Sequence, residues 1–291
     1  MSIRTSRRID RDPTSALATV VFVGFALYIL APMLWLVINA TKSNSQLYTS
    51  FGFWFSDTPQ LWQNIVDVFA QRDGIFLRWM GNTLLYSTAS ALGATLVCFL
   101  AGYAFAKWDF RGRSALFWTI MAAMMVPTTA LAIPTYQMLS GAGLVNTPWA
   151  IILPSIASPF GLYLMRLYTA SAVPDELLDA ARVDGAGEPR IISGIVLPIV
   201  SPGLATVFLI SFVNTWNNYL LPLLVLNDVN MYPVTLGLTG WNNQATFPAA
   251  GSTVMYPLVI TGSLLSIIPL IILFLFMQKS LRNGLTLGAV K

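Results

Sequence analysis

The sequence predicts an all-α membrane protein with six transmembrane helices, and three observations carry that prediction. Of 291 residues, 56% are hydrophobic and only 10% are charged, against roughly a quarter charged in an ordinary soluble domain. The charges lie between five long stretches that hold none, 13–41, 79–106, 114–165, 191–227 and 229–278. Lys and Arg divide thirteen to three between alternate sides of six crossings, a bias that sets orientation and puts both termini in the cytoplasm of a cell membrane.

Each crossing follows from length. About 20 apolar residues span about 30 Å of hydrocarbon, so the first, second and fourth stretches hold one helix each. The 52-residue third stretch is divided at the turn cluster Ser140–Pro148, which predicts helices near 115–139 and 148–168. In the fifth, Gly, Pro, Asn and Thr crowd the first half, and only about 255–278 is continuously apolar, giving the sixth crossing. The apolar run Ala16–Ala40 after the basic start at 1–12 is longer than a signal-peptide h-region, five further spans follow, and it reads as an uncleaved first helix. Two parts result: 1–78, comprising the N-terminal tail, first helix and an outer segment, and 79–291, a five-helix core with a cytoplasmic loop at about 169–196 and a tail at 279–291. Pro127, Pro134, Pro154, Pro159, Pro202, Pro222 and Pro269 lie in or beside spans and predict packing kinks.

Composition also excludes chemistry. There is no His and a single cysteine, Cys98, so a Cys/His zinc site, a disulfide framework and a His-dependent triad are all ruled out. A net charge of +4 on clustered charges does not suit a nucleic-acid binder. No metal or organic cofactor is indicated, and no GxxxxGK[ST] phosphate loop occurs, so any ATP chemistry belongs to another chain. An integral membrane enzyme is disfavoured for want of an acid/base pair.

On the outer side, Leu61, Ile65, Val68 and Phe69 fall on one helical face beside the aromatic run Phe51–Phe55, which predicts an interfacial helix in contact with lipid. The outer loop 227–254 carries Trp241, Asn242, Asn243 and Gln244 and is read either as a partner-contacting loop or as a passive tether. On the inner side, Pro174 suits a helix start, Asp175 and Glu176 favour its first turn, and Gly185 suits its stop. A second short helix is expected from Pro189 toward Leu197 and Pro198. The product is a helix-turn-helix elbow with small residues at its tip, a docking surface in physical terms.

The strings "DAARVDGA" (Asp179–Ala186) and "ISGIVLP" (Ile192–Pro198) resemble the cytoplasmic EAA signature of the membrane-spanning subunits of binding-protein-dependent ABC importers. Met125–Tyr168, Phe212–Leu226 and Leu281–Lys291 resemble the carbohydrate branch of that family, specifically its maltose-type permeases, with a type I importer fold. The resemblance implies that Asp179, Ala180, Ala181, Asp184, Gly185 and Ala186 insert in an ATP-binding subunit, with Leu197 and Pro198 closing the motif. Asp179 stands where the family usually has Glu, one methylene longer. The resemblance implies as partners a second six-span permease subunit, two ATP-binding subunits carrying ATP and Mg, and an external solute-binding protein. The tail Gly284–Lys291 is expected to approach the ATP-binding subunits.

No Asp, Glu, Lys, Arg or His occurs at membrane depth, which weighs against a proton-coupled carrier and favours a neutral, polyhydroxylated cargo such as a sugar. Asn82, Gln137, Asn214, Trp216, Asn217, Asn218 and Tyr219 are the candidate pathway residues, because amides bond hydroxyls and rings stack on sugars; interhelical bonding and interface anchoring are the competing readings. The alternative function is an autonomous secondary carrier or channel for a small neutral solute.

Overall fold

The computed structural model describes residues 13–248 and 255–286. The basic start at 1–12, part of the outer loop and the last five residues of the tail lie outside the described residues. Every regular element among those described is helical: α1 Pro13–Ala40, α2 Asn44–Thr49, α3 Leu61–Ala70, α4 Ile75–Lys107, α5 Arg113–Ala123, α6 Ala132–Gly141, α7 Trp149–Ile156, α8 Pro159–Ala172, α9 Asp175–Val183, α10 Glu188–Ile191, α11 Leu197–Trp216, α12 Leu220–Val225, α13 Val234–Thr246 and α14 Tyr256–Thr286. Among the described residues, five helical stretches are long and apolar enough to cross a membrane: Ala16–Ala40, Ile75–Lys107, Trp149–Ala172, Glu188–Trp216 and Tyr256–Ser280.

The axis of the core is α4, whose 33 residues run about 50 Å at 1.5 Å per residue. It packs against α7, α8 and α11, and small residues let the backbones close in. A Cβ on Gly102 would sit 2.6 Å from Met165 Cβ and 2.9 Å from the Arg166 backbone nitrogen, so only glycine fits there. Around this contact Cys98, Tyr103, Phe105, Phe117, Met165, Tyr168, Leu178, Ile191 and Val200 form one buried cluster. A second cluster at the opposite end of α4 joins Phe76, Trp79, Val234, Trp241 and Leu258.

Polar bonds mark the two ends. At the C-terminus of α4, Lys107 Nζ reaches Asp175 and the Val173 carbonyl, each at 2.6 Å. At its N-terminus, Arg78 donates to Asn230 at 2.8 Å and the Trp79 indole to the Val229 carbonyl at 2.8 Å. Segment 113–146 connects these ends. Arg113 Nε donates to the Phe105 carbonyl at 3.0 Å, while Asn146 N donates to Val225 at 2.7 Å and its Oδ1 accepts from Asn227 and Asp228.

The predicted continuous helix at 115–139 is therefore corrected to two short helices, α5 and α6, separated by 124–131. Pro127 explains the break: it has no N–H, and it pushes Val126 out of helical geometry. The predicted helix at 148–168 is likewise broken, between α7 and α8. Pro159 disfavours helix at Ser158, whose hydroxyl then caps α8 by accepting from Gly161 N at 3.2 Å.

Two further corrections concern loops. Residues 234–246 of the expected outer loop are the helix α13, in which Trp241 is buried between Phe76 and Trp79, with ring centroids 6.1 and 5.0 Å away. This half of the loop is therefore a packed helix anchored by Trp241, while Asn242 and Asn243 stay exposed. The helix expected in the outer segment forms as α3, with Val68 buried against the fold; α3 packs on α4 and α14 while Trp62 and Phe69 remain exposed.

Candidate functional site

The elbow begins at Pro174, which caps α9, and ends in a Schellman motif. Ala186 N bonds the Ala181 carbonyl at 2.9 Å and Gly185 N bonds that of Arg182 at 3.0 Å. Gly185 has φ +80°, a conformation that costs glycine nothing and a β-branched residue a great deal. Asp179, Ala180, Asp184 and Gly185 are exposed, whereas Ala181 and Ala186 are half-buried and pack on the core cluster. The motif thus presents its acids, Ala180 and its glycine outward and is held in place by Ala181 and Ala186.

A charged network fixes this elbow to α4. Arg182 bonds Asp179 at 3.0 Å and Glu188 at 2.9–3.0 Å, and the buried Tyr103 hydroxyl donates to Glu188 at 2.9 Å. The hydrogen bond with Glu188, more than any other interaction, holds Arg182 above the ordinary arginine pKa, so it is a permanent cation. Exposed ion pairs contribute little on their own. The Tyr103 bond matters more, because it reaches from the elbow into the buried end of a spanning helix.

The second short helix expected after Pro189 is corrected: α10 continues through a wide turn at Ile192–Val196 into α11, giving one helix over Glu188–Trp216. Leu197 N bonds Ile192 O, five residues back, and the next residue, Pro198, donates nothing. Leu197 and Pro198 are exposed positions inside that helix and do not close a separate element.

Deeper in the fold, a recess of about 600 Å³ opens between α6, the end of α7 and the break after α11. Asn214, Asn217, Asn218 and Tyr219 line it with Thr128, Thr135 and Ser155. A narrower polar cleft of about 170 Å³ continues from it past Ser155, Ser158, Ser211, Asn214, Thr215 and Asn218. Its depth is set by Ile156, which packs on Gly93 near the middle of α4. Non-helical backbone at such depth is tolerated where it lines a cavity.

Several polar groups here are unspent, although Ser158 caps α8 and Asn218 Oδ1 accepts from Leu221 N at 3.3 Å. Thr83, Thr95, Thr206 and Ser263 each return their hydroxyl to the carbonyl four residues back, at 2.6–3.0 Å. Ser211 Oγ is buried with no partner, and the side chains of Ser155, Asn214 and Thr215 make no hydrogen bond among the described residues. Ser211, Asn214 and Thr215 share one face of α11, and Asn218 extends it just past the helix end. Ser155, Ser211 and Thr215 were missed in the sequence, where isolated hydroxyls in apolar runs look like packing.

The remaining candidates are elsewhere. Asn82 donates to the carbonyls of Asn230 and Tyr232, at 2.8 and 3.0 Å, and ties down the outer segment. Trp216 is buried and stacked on Phe212 at 5.5 Å. Gln137 is exposed on α6 and does not line the recess, and Asn217, though in its wall, donates its amide to the Val213 carbonyl at 2.9 Å.

A helical core organised on one long central helix, an uncharged polar recess at mid-depth and an elbow at the basic end together define a multi-pass membrane transport subunit. The chain belongs to the family described as binding-protein-dependent transport system inner membrane component, which matches residues 93–286. It is 33% identical to the arabinooligosaccharides transport system permease protein AraQ of Halalkalibacterium halodurans, over 95% of this chain and 96% of that one. It is 35% identical to the lactose transport system permease protein LacG of Rhizobium radiobacter, over 89% and 90%. In three dimensions it resembles a bacterial ABC transporter involved in the import of the acidic polysaccharide alginate, with a TM-score of 0.79 at 23% identity, covering 94% of this chain and 99% of that one. The importer-permease resemblance in the sequence is borne out.

Proposed function

We propose that the chain is one of two membrane-spanning subunits of an ATP-driven oligosaccharide importer. It forms half of the translocation pathway, its elbow docks in a separate ATP-binding subunit, and an external binding protein delivers the cargo. The observation that carries this is the mid-depth polar recess: Ser211, Asn214 and Thr215 offer unspent donors and acceptors, Asn218 adds its amide N–H groups, and none carries a charge, the chemistry that recognises sugar hydroxyls. Relatives named for arabinooligosaccharides and lactose support the substrate class. An acidic sugar would find no counter-ion in this recess, so any discrimination by charge belongs to the partner subunits.

In this reading the chain crosses the membrane six times, the third crossing being made by α5 and α6 in tandem. Asp179, Ala180, Asp184 and Gly185 meet the ATP-binding subunit, and ATP and Mg are held there. Closure of that subunit pushes α9, and the Arg182–Glu188–Tyr103 contacts pass the displacement to α4 and α11, against which the recess is built.

The test is to purify the tagged chain in mild detergent, identify stoichiometric partners by mass spectrometry, and assay sugar-stimulated ATPase activity in proteoliposomes. The expected result is a second permease and a P-loop ATPase stimulated by a binding protein loaded with an oligosaccharide. Recovery of the chain alone, catalysing solute exchange without ATP, would replace this reading with an autonomous carrier.

A further inference from the structure

A second recess, of about 530 Å³, lies at the basic end of the fold between the 109–112 turn, the first turns of α5, and Arg166 in the second half of α8. Two arginines line it, and they differ. Arg113 is committed: it donates to the carbonyls of Phe105 and Ala106 at 3.0 and 3.4 Å and to Asp109 at 2.5 Å, which also neutralises that acid. Arg166 has no carboxylate or carbonyl partner among the described residues; its guanidinium lies 4.0 Å above the ring of Phe117.

The position of Arg166 explains why this matters. Its backbone abuts Gly102, five residues before the end of α4 and hence about 7–8 Å inside it. Its side chain extends over Phe117, which in turn packs on Phe105 at 5.7 Å, so the cation reaches back toward the membrane surface. A half-buried guanidinium held on an aromatic face keeps its planar donor fork free, and that fork matches phosphate oxygens in pairs. The recess also opens onto apolar surface: Leu116 is 50% exposed and Trp118 67% exposed beside it.

We propose that this recess binds the phosphate of an acidic phospholipid, with Arg166 as the principal ligand and the outer face of α5 carrying the acyl chains. A phosphate anion alone would satisfy the guanidinium, but it would gain nothing from Leu116 and Trp118. Basic pockets between helices on the cytoplasmic side of a membrane have the general properties such headgroups require.

The test uses the intact transporter complex in phosphatidylcholine nanodiscs, titrated with phosphatidylglycerol and read by native mass spectrometry for retained lipid. The complex should retain phosphatidylglycerol in preference to phosphatidylcholine. Arg166→Gln should weaken that retention about fivefold, while Arg111→Gln, which removes an exposed charge outside the recess, should leave it unchanged. Equal retention by Arg166→Gln and the parent complex would overturn the proposal, as would absence of selectivity in the parent complex, an outcome independent of how any variant folds. Displacement of the lipid by millimolar inorganic phosphate would overturn the lipid assignment in favour of a free-anion site.

Discussion

Gly237 shows how tightly individual residues are held. A Cβ there would lie 2.1–2.5 Å from the indole of Trp79, whose own N–H is fixed to the Val229 carbonyl. The indole cannot swing away without losing that bond and the contact with Trp241. Gly237→Ala should therefore destabilise the protein by about 1–3 kcal/mol and lower its melting temperature in detergent. Gly240→Ala, where a Cβ meets nothing within 4 Å, is the control and should not; equal melting temperatures would contradict the packing described. At this scale the sequence was partly legible. Asn214, Asn218 and Tyr219 were chosen by residue type and do line the recess. Trp216 was chosen on the same grounds and is buried packing, because an aromatic ring in an apolar run carries no mark of which neighbour it meets.

At the scale of elements, the elbow was the most legible part, since its information is local. A proline start, acids in the first turn and a glycine stop all act through contacts a few residues apart, and α9 forms between the predicted bounds. Its continuation was not legible: whether the helix after Pro189 stops or runs on depends on a wide turn at Ile192–Val196 that accommodates Pro198, and periodicity does not reveal it. The break at Pro127 shows the converse, a proline read as a kink that in fact divides a helix. The elbow makes its own prediction. Gly185→Val places a β-branched residue at φ +80°, at a cost of about 1–3 kcal/mol confined to an exposed tip. Membrane insertion should be retained and the melting temperature should fall by only a few degrees, while sugar-stimulated ATPase activity and transport fall together. Gly185→Asn, which tolerates this backbone, should retain much more of both. If both variants transport normally, the tip does not couple.

For the whole molecule, the asymmetry of Lys and Arg and the polar bonds at the two ends of α4 are independent observations that agree. The residues assigned by charge to the cytoplasm, Lys107, Arg113 and Arg182, cluster at one end, and Arg78 lies at the other. Together they bear on 113–146, a segment with no helix of spanning length: Arg113 is bonded to the C-terminal end of α4, while Asn146 is bonded to 225–228, next to the Val229 carbonyl that holds Trp79 at the other end. Each of α5 and α6 is about 15 Å long, so neither alone crosses about 30 Å of hydrocarbon, and the six-crossing reading proposed above has the two cross in tandem. The chain offers a clean way to test this, because its single cysteine, Cys98, is buried. In a Cys98→Ala background, Arg111→Cys and Ala142→Cys place thiols at exposed positions just before α5 and at the end of α6. A membrane-impermeant maleimide should label the first only in inverted vesicles and the second only in intact spheroplasts. Labelling of both from the same side would remove the third crossing, leave five, and put the two termini on opposite sides of the membrane, against the thirteen-to-three division of basic residues.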